Sequence, residues 1–299
     1  MGYGSYSYEA HQAITTARSV LPAQQVFTQR AIHPLMDPLG VKFRESRDSA
    51  EHPNTTSIVF ALDVSGSMGN IPEQIARKEM PTFMKALLDA GVTDPQVLFM
   101  ALQDCAGGVS PLQVGQFETT AELMDQWLTR CWIMGGGASE FESYDLAFYF
   151  AANHTKLDCL EKRGKKGYLF MTGDEPCYDQ LKAHWVKEFV GDKLPQNVPL
   201  KEVIADCARL YHSFYLVPDP ARGQRVARFW RHFLGEQTIV LGSPEDTCPV
   251  AAGVVALSEG RVKDLATVGE KLAAGGLPIT RVNRVLNAMK PWAETLNKA

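Results

Sequence analysis

The segment Asp63-Val64-Ser65-Gly66-Ser67-Met68-Gly69 concentrates the chemistry of this chain. A carboxylate and two hydroxyls recur at alternating positions. Gly66 and Gly69 let the backbone curl so that both hydroxyls can face one point. Small oxygen donors gathered in this way suit a hard divalent cation such as Mg2+, with Mn2+ or Ca2+ as alternatives. The plainer reading is a strand-to-helix turn whose hydroxyls cap the following helix. Three other places offer oxygen donors: Asp174 in Thr172-Gly173-Asp174-Glu175, Asp104 in MALQDC, and the turn Gly135-Gly136-Gly137-Ala138-Ser139-Glu140-Phe141-Glu142-Ser143. Alone, each is a common turn or helix-start pattern.

These donors follow short apolar runs that read as strands. Ser57 to Leu62, Gln96 to Leu102, Tyr168 to Thr172, Ser213 to Val217 and Thr238 to Leu241 are each continuous, as strands buried on both faces would be. A short edge strand is expected near Leu112 to Phe117. Helical patterns lie between them: Pro72 to Ala90 with an interruption at Pro81, Thr120 to Cys131, Glu142 to Leu160, Tyr178 to Val190, Leu200 to Tyr211, and Pro220 to Leu234. The alternation predicts an α/β fold, a doubly wound and mostly parallel sheet of about six strands flanked by helices. Ligands of such sheets bind beyond the carboxyl ends of the strands, where Asp63, Asp104 and Asp174 fall.

Composition narrows the function classes. With 45% hydrophobic and 21% charged residues, the chain is that of an ordinary globular protein. A net charge of -4 argues against nucleic acid and against an anionic membrane surface as partners. No apolar run approaches the length of a membrane span, and no secretory signal is evident in MGYGSYSYEAHQ. The six cysteines form no C-x-x-C unit, which points to free thiols and a cytoplasmic setting.

The stretch ALDVSGSMGNIPE resembles the metal-ion-dependent adhesion site of von Willebrand factor type A domains, whose first motif is Asp-x-Ser-x-Ser. The glycine-rich turn and FMTGDE stand in the order of that family's second and third motifs. The resemblance covers about residues 57–245 and is to the intracellular bacterial type. It implies a Rossmann-like domain there, an N-terminal arm over 1–56 that packs on the domain or on a partner, and a C-terminal helical extension over 246–299. It further implies that Ser65 and Ser67 bind the metal through their hydroxyls, with Asp63 and Asp174 acting largely through water. The family's second motif usually supplies a threonine, and Gly135 to Ser143 contains none. Counting back from Ala147, taken as the start of the family's Ala-Leu pair, gives Glu142, with Ser139 as the second choice. Asp104 is either a further outer ligand or a strand-end residue. A glutamate ligand would partly neutralise the cation and weaken its pull on a partner's carboxylate.

The resemblance implies a Mg2+-dependent protein-binding adaptor, engaging an acidic side chain or tail of a partner. Such domains often work in larger assemblies with AAA+ ATPases or with kinases and phosphatases in stress or defence. A different class is a scaffold with a vestigial metal site. It would bind partners through its terminal segments or through the helix carrying Arg222, Arg225, Arg228 and Arg231, which recur every three residues. A Mg2+-dependent aspartyl phosphatase also places an Asp after its first strand. It usually needs a second Asp two positions on as general acid, and Ser65 stands there, so no enzymatic activity is expected.

Overall fold

The continuous apolar runs become strands covered on both faces. The computed structural model describes residues 4–107, 109–133, 135 and 139–296. Its central sheet comprises β1 (Thr56–Asp63), β2 (Pro95–Leu102), β3 (Leu112–Val114), β4 (Gly167–Thr172), β5 (Tyr211–Val217) and β6 (Thr238–Val240). The spatial order is β6-β5-β4-β1-β2-β3, with every pair parallel except β2 and β3. This is the doubly wound α/β class, and the strand order reverses between β1 and β4.

Successive side chains of β1 point to opposite faces, so one strand feeds two cores. Ile58, Phe60 and Leu62 join the first core. It is completed by α2 (Met80–Asp89), α3 (Ala121–Arg130), α7 (Thr247–Ser258), α8 (Leu265–Ala274) and α9 (Ile279–Leu296). Val59 and Ala61 join the second, formed with α4 (Tyr144–Asn153), α5 (Leu200–Cys207) and α6 (Gly223–Leu234). The helices after residue 246 therefore share the core of the sheet; α7 is apolar all round and buried from Thr247 to Ala256.

The N-terminal segment also packs on this body. Its helix α1 (Tyr8–Ser19) is held to α3 by the Arg18–Asp125 ion pair, and Arg44–Ser46 pairs in parallel with Thr155–Leu157. All six cysteines are free and buried. Among the described residues no helix is long and apolar enough to cross a membrane.

Several helices differ from the sequence expectation. The pattern from Pro72 to Ala90 divides into Ile71–Gln74, a π-helical turn Ile75–Glu79, and α2. Pro81 has no N–H to bond a carbonyl one turn back, and the wider turn before it accommodates this. The pattern from Glu142 to Leu160 breaks at His154, because Thr155–Leu157 is drawn into pairing with the N-terminal segment. A short helix, Asp158–Arg163, follows. The pattern from Tyr178 to Val190 begins only at Ala183, since Gln180–Leu181 pairs with Val198–Pro199. Leu200 to Tyr211 ends at Cys207, where the chain turns into β5, and the helix expected from Pro220 starts at Gly223.

Candidate functional site

The sheet brings the candidate donors to one edge. Leu62 of β1 lies beside Thr172 of β4, and Asp63 beside Leu102 of β2, so Asp63, Asp104 and Asp174 all leave the sheet at the same level. After Asp63 the chain enters a 3-10 turn, Gly66–Met68, and reverses at Gly69, whose φ of 54° favours glycine. Asp63 Oδ1 accepts the Ser65 backbone N–H at 2.9 Å, which folds the loop back over the carboxylate. The Ser65 and Ser67 hydroxyls lie 3.0 Å apart, and Ser67 Oγ donates to Asp174 Oδ1 at 2.8 Å. Asp63, Ser65 and Asp174 are buried, whereas Ser67 is exposed, so the cluster opens to solvent at Ser67.

Two tyrosines that the sequence reading did not include, and two arginines that it placed on a partner-binding helix, complete this edge. The Tyr144 hydroxyl donates to Asp63 Oδ2 at 2.5 Å. Tyr215 donates to the Glu175 carbonyl at 3.0 Å, and Trp230 Nε1 to the same carbonyl at 3.2 Å, which fixes the chain just past Asp174. A side chain at position 173 would collide with the Tyr144 and Tyr215 hydroxyls, so Gly173 is required by this close approach. Arg222, just before α6, pairs with the second oxygen of Asp174, and Arg225 pairs with Glu175. All four arginines of the stripe are exposed, and its first half, Arg222 and Arg225, reaches carboxylates of this edge. Its period was legible in the sequence; which half meets a carboxylate was not.

Glu142 and Ser139 separate clearly. Of their glycine-rich turn, Gly136, Gly137 and Ala138 lie outside the described residues. Ser139 is exposed, and its hydroxyl donates to Asp104 Oδ2 at 2.8 Å. Tyr178 donates to the other oxygen of Asp104 at 2.7 Å, and the Phe141 ring stacks on Tyr178 with centroids 5.2 Å apart. Glu142 is 2% exposed, anchored by its backbone N–H to the Pro176 carbonyl at 3.1 Å, and its Oε2 has no hydrogen-bond partner. A buried carboxylate oxygen without a partner is costly.

The electrostatics of this edge follow from crowding. Burial pushes the Glu142 carboxyl well above the usual carboxylate range. The charges of Asp63 and Asp104 push it further, against a hydrogen bond from Ser65. Burial likewise raises Asp63, against hydrogen bonds from Ser65 and Tyr144. Asp145, at the start of α4, is buried and pushed up to about 7 chiefly by desolvation. The edge therefore holds protons tightly when no other cation is present. Among the described residues no group of three or more His, Cys, Asp or Glu side chains is spaced to cage a metal. A cation here would depend on the two serine hydroxyls. That donor set, together with the orphaned Glu142 oxygen, fits a hard, oxygen-seeking divalent ion.

No family model matches this sequence. No curated protein matches it either. Solved structures similar to the chain include the pilus adhesin SpaC from Lactobacillus rhamnosus GG in its open conformation, at 10% identity and a TM-score of 0.45 over 72% of this chain and 30% of that one. Another is the vWF domain of the type V pili tip protein Mfa5 from Porphyromonas gingivalis, at 9% identity and a TM-score of 0.43, covering 69% of this chain and 95% of that one. A third is proximal thread matrix protein 1 from the mussel byssus, at 12% identity and a TM-score of 0.43, covering 71% and 50% respectively. The chain spans about a third of the SpaC adhesin it matches. The fold class stated above rests on the strand order itself.

Proposed function

We propose that this chain is a divalent-cation-dependent protein-binding module of the von Willebrand type A kind, acting without turnover. Ser65, Ser67 and Glu142 would hold Mg2+, and Asp63 and Asp174 would orient the hydroxyls and bound water. Mn2+ or Ca2+ are the alternatives. The observation that carries this reading is the orphaned Oε2 of Glu142, buried beside Ser65 and among the charges of Asp63, Asp104 and Asp174. It also favours Glu142 over Ser139 as the donor from the glycine-rich turn, because the Ser139 hydroxyl already serves Asp104. Bound there, the cation supplies an open coordination position for an acidic side chain or tail of a partner. A glutamate ligand tempers that pull, so the rim contributes specificity, and the exposed Phe141 ring on Tyr178 stands at that rim. A place in an assembly with an AAA+ ATPase or a kinase, inside the cell, belongs to the same proposal.

Asp63→Ala combined with Ser65→Ala tests it. Calorimetry should show Mg2+ binding by the unaltered protein and none by the variant, while circular dichroism shows both folded. Equal Mg2+ affinity in the two proteins would refute the proposed centre.

A further inference from the structure

Arg222 brings a fixed positive charge to this edge. It precedes α6, in a loop that the turn Asp219–Arg222 closes, and its guanidinium lies on Asp174 Oδ2. The other oxygen of that carboxylate, Oδ1, takes the Ser67 hydroxyl at 2.8 Å. One carboxylate therefore joins a fixed positive charge to a hydroxyl of the proposed cation centre. The same guanidinium stands 3.6 Å from Glu175, and Arg225 holds Glu175 from the next turn. Asp174 is almost fully buried, at 2% side-chain exposure, while the Arg222 side chain is 41% exposed. The arginine thus reaches the site from the solvent side rather than from the core.

We infer that Arg222 is a tethered counter-cation of this site: it balances Asp174 when no divalent ion is bound and lowers the affinity for the ion by charge repulsion. This rests on the proposed cation centre. Two physical terms set its sign. Without the ion, Asp174 stands beside other buried carboxylates, and the guanidinium relieves their mutual repulsion. With the ion, the same positive charge stands one carboxylate away from it, and like charges at that separation repel. Its exposure screens the repulsion, so the effect is moderate. The arginine sets how much free cation is needed to load the module. It is a positioning residue for Asp174 and not a ligand.

Mg2+ calorimetry on the full chain, with thermal unfolding in EDTA, tests this with Arg222→Met, Arg222→Lys and, as a control on the helix that follows, Arg228→Met. Arg222→Met should bind Mg2+ about threefold to fivefold more tightly than the unaltered protein. It should also melt lower in EDTA and regain more on adding Mg2+. Arg222→Lys, which keeps the charge, should stay near the unaltered affinity, as should Arg228→Met. Mg2+ binding by the unaltered protein that is unchanged or weakened in Arg222→Met would overturn the inference while leaving the cation centre standing. Binding that emerges only in Arg222→Met supports it in its strongest form. Absence of Mg2+ binding in every one of these proteins would overturn both.

Discussion

At the seam where α9 meets the turn Pro244–Asp246, two arginines face three carboxylates. Arg281 holds Glu79 at 2.6 Å, Arg284 holds both oxygens of Asp246 at 2.9 and 3.0 Å, and Arg284 also reaches Glu245. At the carboxyl ends of β1, β2 and β4, four carboxylates gather and Arg222 pairs with one of them, Asp174. The side-chain types are the same in both clusters, and the difference lies in compensation. In the first, each acid meets a guanidinium, although Arg281 Nε makes no hydrogen bond, and the cluster ties the last helix to the π-helical turn that ends at Glu79. In the second, hydrogen bonds from serine and tyrosine stand where charges would, and one oxygen of Glu142 has nothing. A compensated cluster joins elements. An uncompensated one leaves buried carboxyl oxygens unmatched by a guanidinium.

The largest effect is expected where the compensated cluster loses a member. Asp246 is fully buried, and Asp246→Ala leaves Arg281 and Arg284 short of a partner. Urea denaturation should show a loss of about 3–5 kcal/mol. A loss below about 1 kcal/mol would mean that this network is as loosely built as the other edge.

The uncompensated edge should announce itself through pH. Asp63 and Glu142 are both raised in the folded protein, chiefly by burial, so the folded state holds these protons more tightly than the unfolded chain. The stability they contribute is fully present below the unfolded carboxylate range, near pH 4, and is lost as pH rises through the raised values. In EDTA, stability should therefore fall by an amount on the order of 2 kcal/mol between acidic and alkaline pH. Deprotonated ligands bind metal better, so the gain from added Mg2+ should grow over the same range. Denaturation curves at pH 5, 7 and 9 with and without Mg2+ measure both trends. A stability in EDTA that rises with pH would contradict the crowding at this edge.

The smallest stability effect belongs to Glu142→Gln. Because burial raises the Glu142 carboxyl and favours its protonated form, glutamine is close to that form. Stability in EDTA at pH 7 should change by less than about 0.5 kcal/mol, while Mg2+ affinity falls. A large destabilisation without metal would show that Glu142 is a charged structural group, like Asp246.

Much of the fold was legible because its signals are local. Continuous apolar runs such as SIVFAL and YLFMT mark strands buried on both faces, and they lie where β1 and β4 lie. Helix limits were less legible wherever a second segment competes for the same residues. Thr155–Leu157 reads as the tail of a helix until Arg44–Ser46 supplies a strand for it to pair with. The site divides the same way. Asp63, Ser65 and Ser67 share one turn and could be found by spacing alone. Tyr144 left no signal, because an aromatic residue in an apolar helix looks like core until its hydroxyl meets Asp63, 81 positions away.

The sequence by itself determined the doubly wound plan and the donor types on the loop after β1, since both follow from the period of side chains along a strand and from turn chemistry within a few residues. Only the tertiary structure decided how those donors are balanced. Ser67 meets Asp174 across 107 positions and Arg222 meets the same carboxylate across 48, because the strand order sets β4 against β1 and β5 delivers α6 to that edge. The different surroundings of Ser139 and Glu142 were set there too. Both offer oxygen within the stretch Gly135 to Ser143, and only the packed sheet edge commits the serine to Asp104 and leaves the glutamate oxygen buried without a partner.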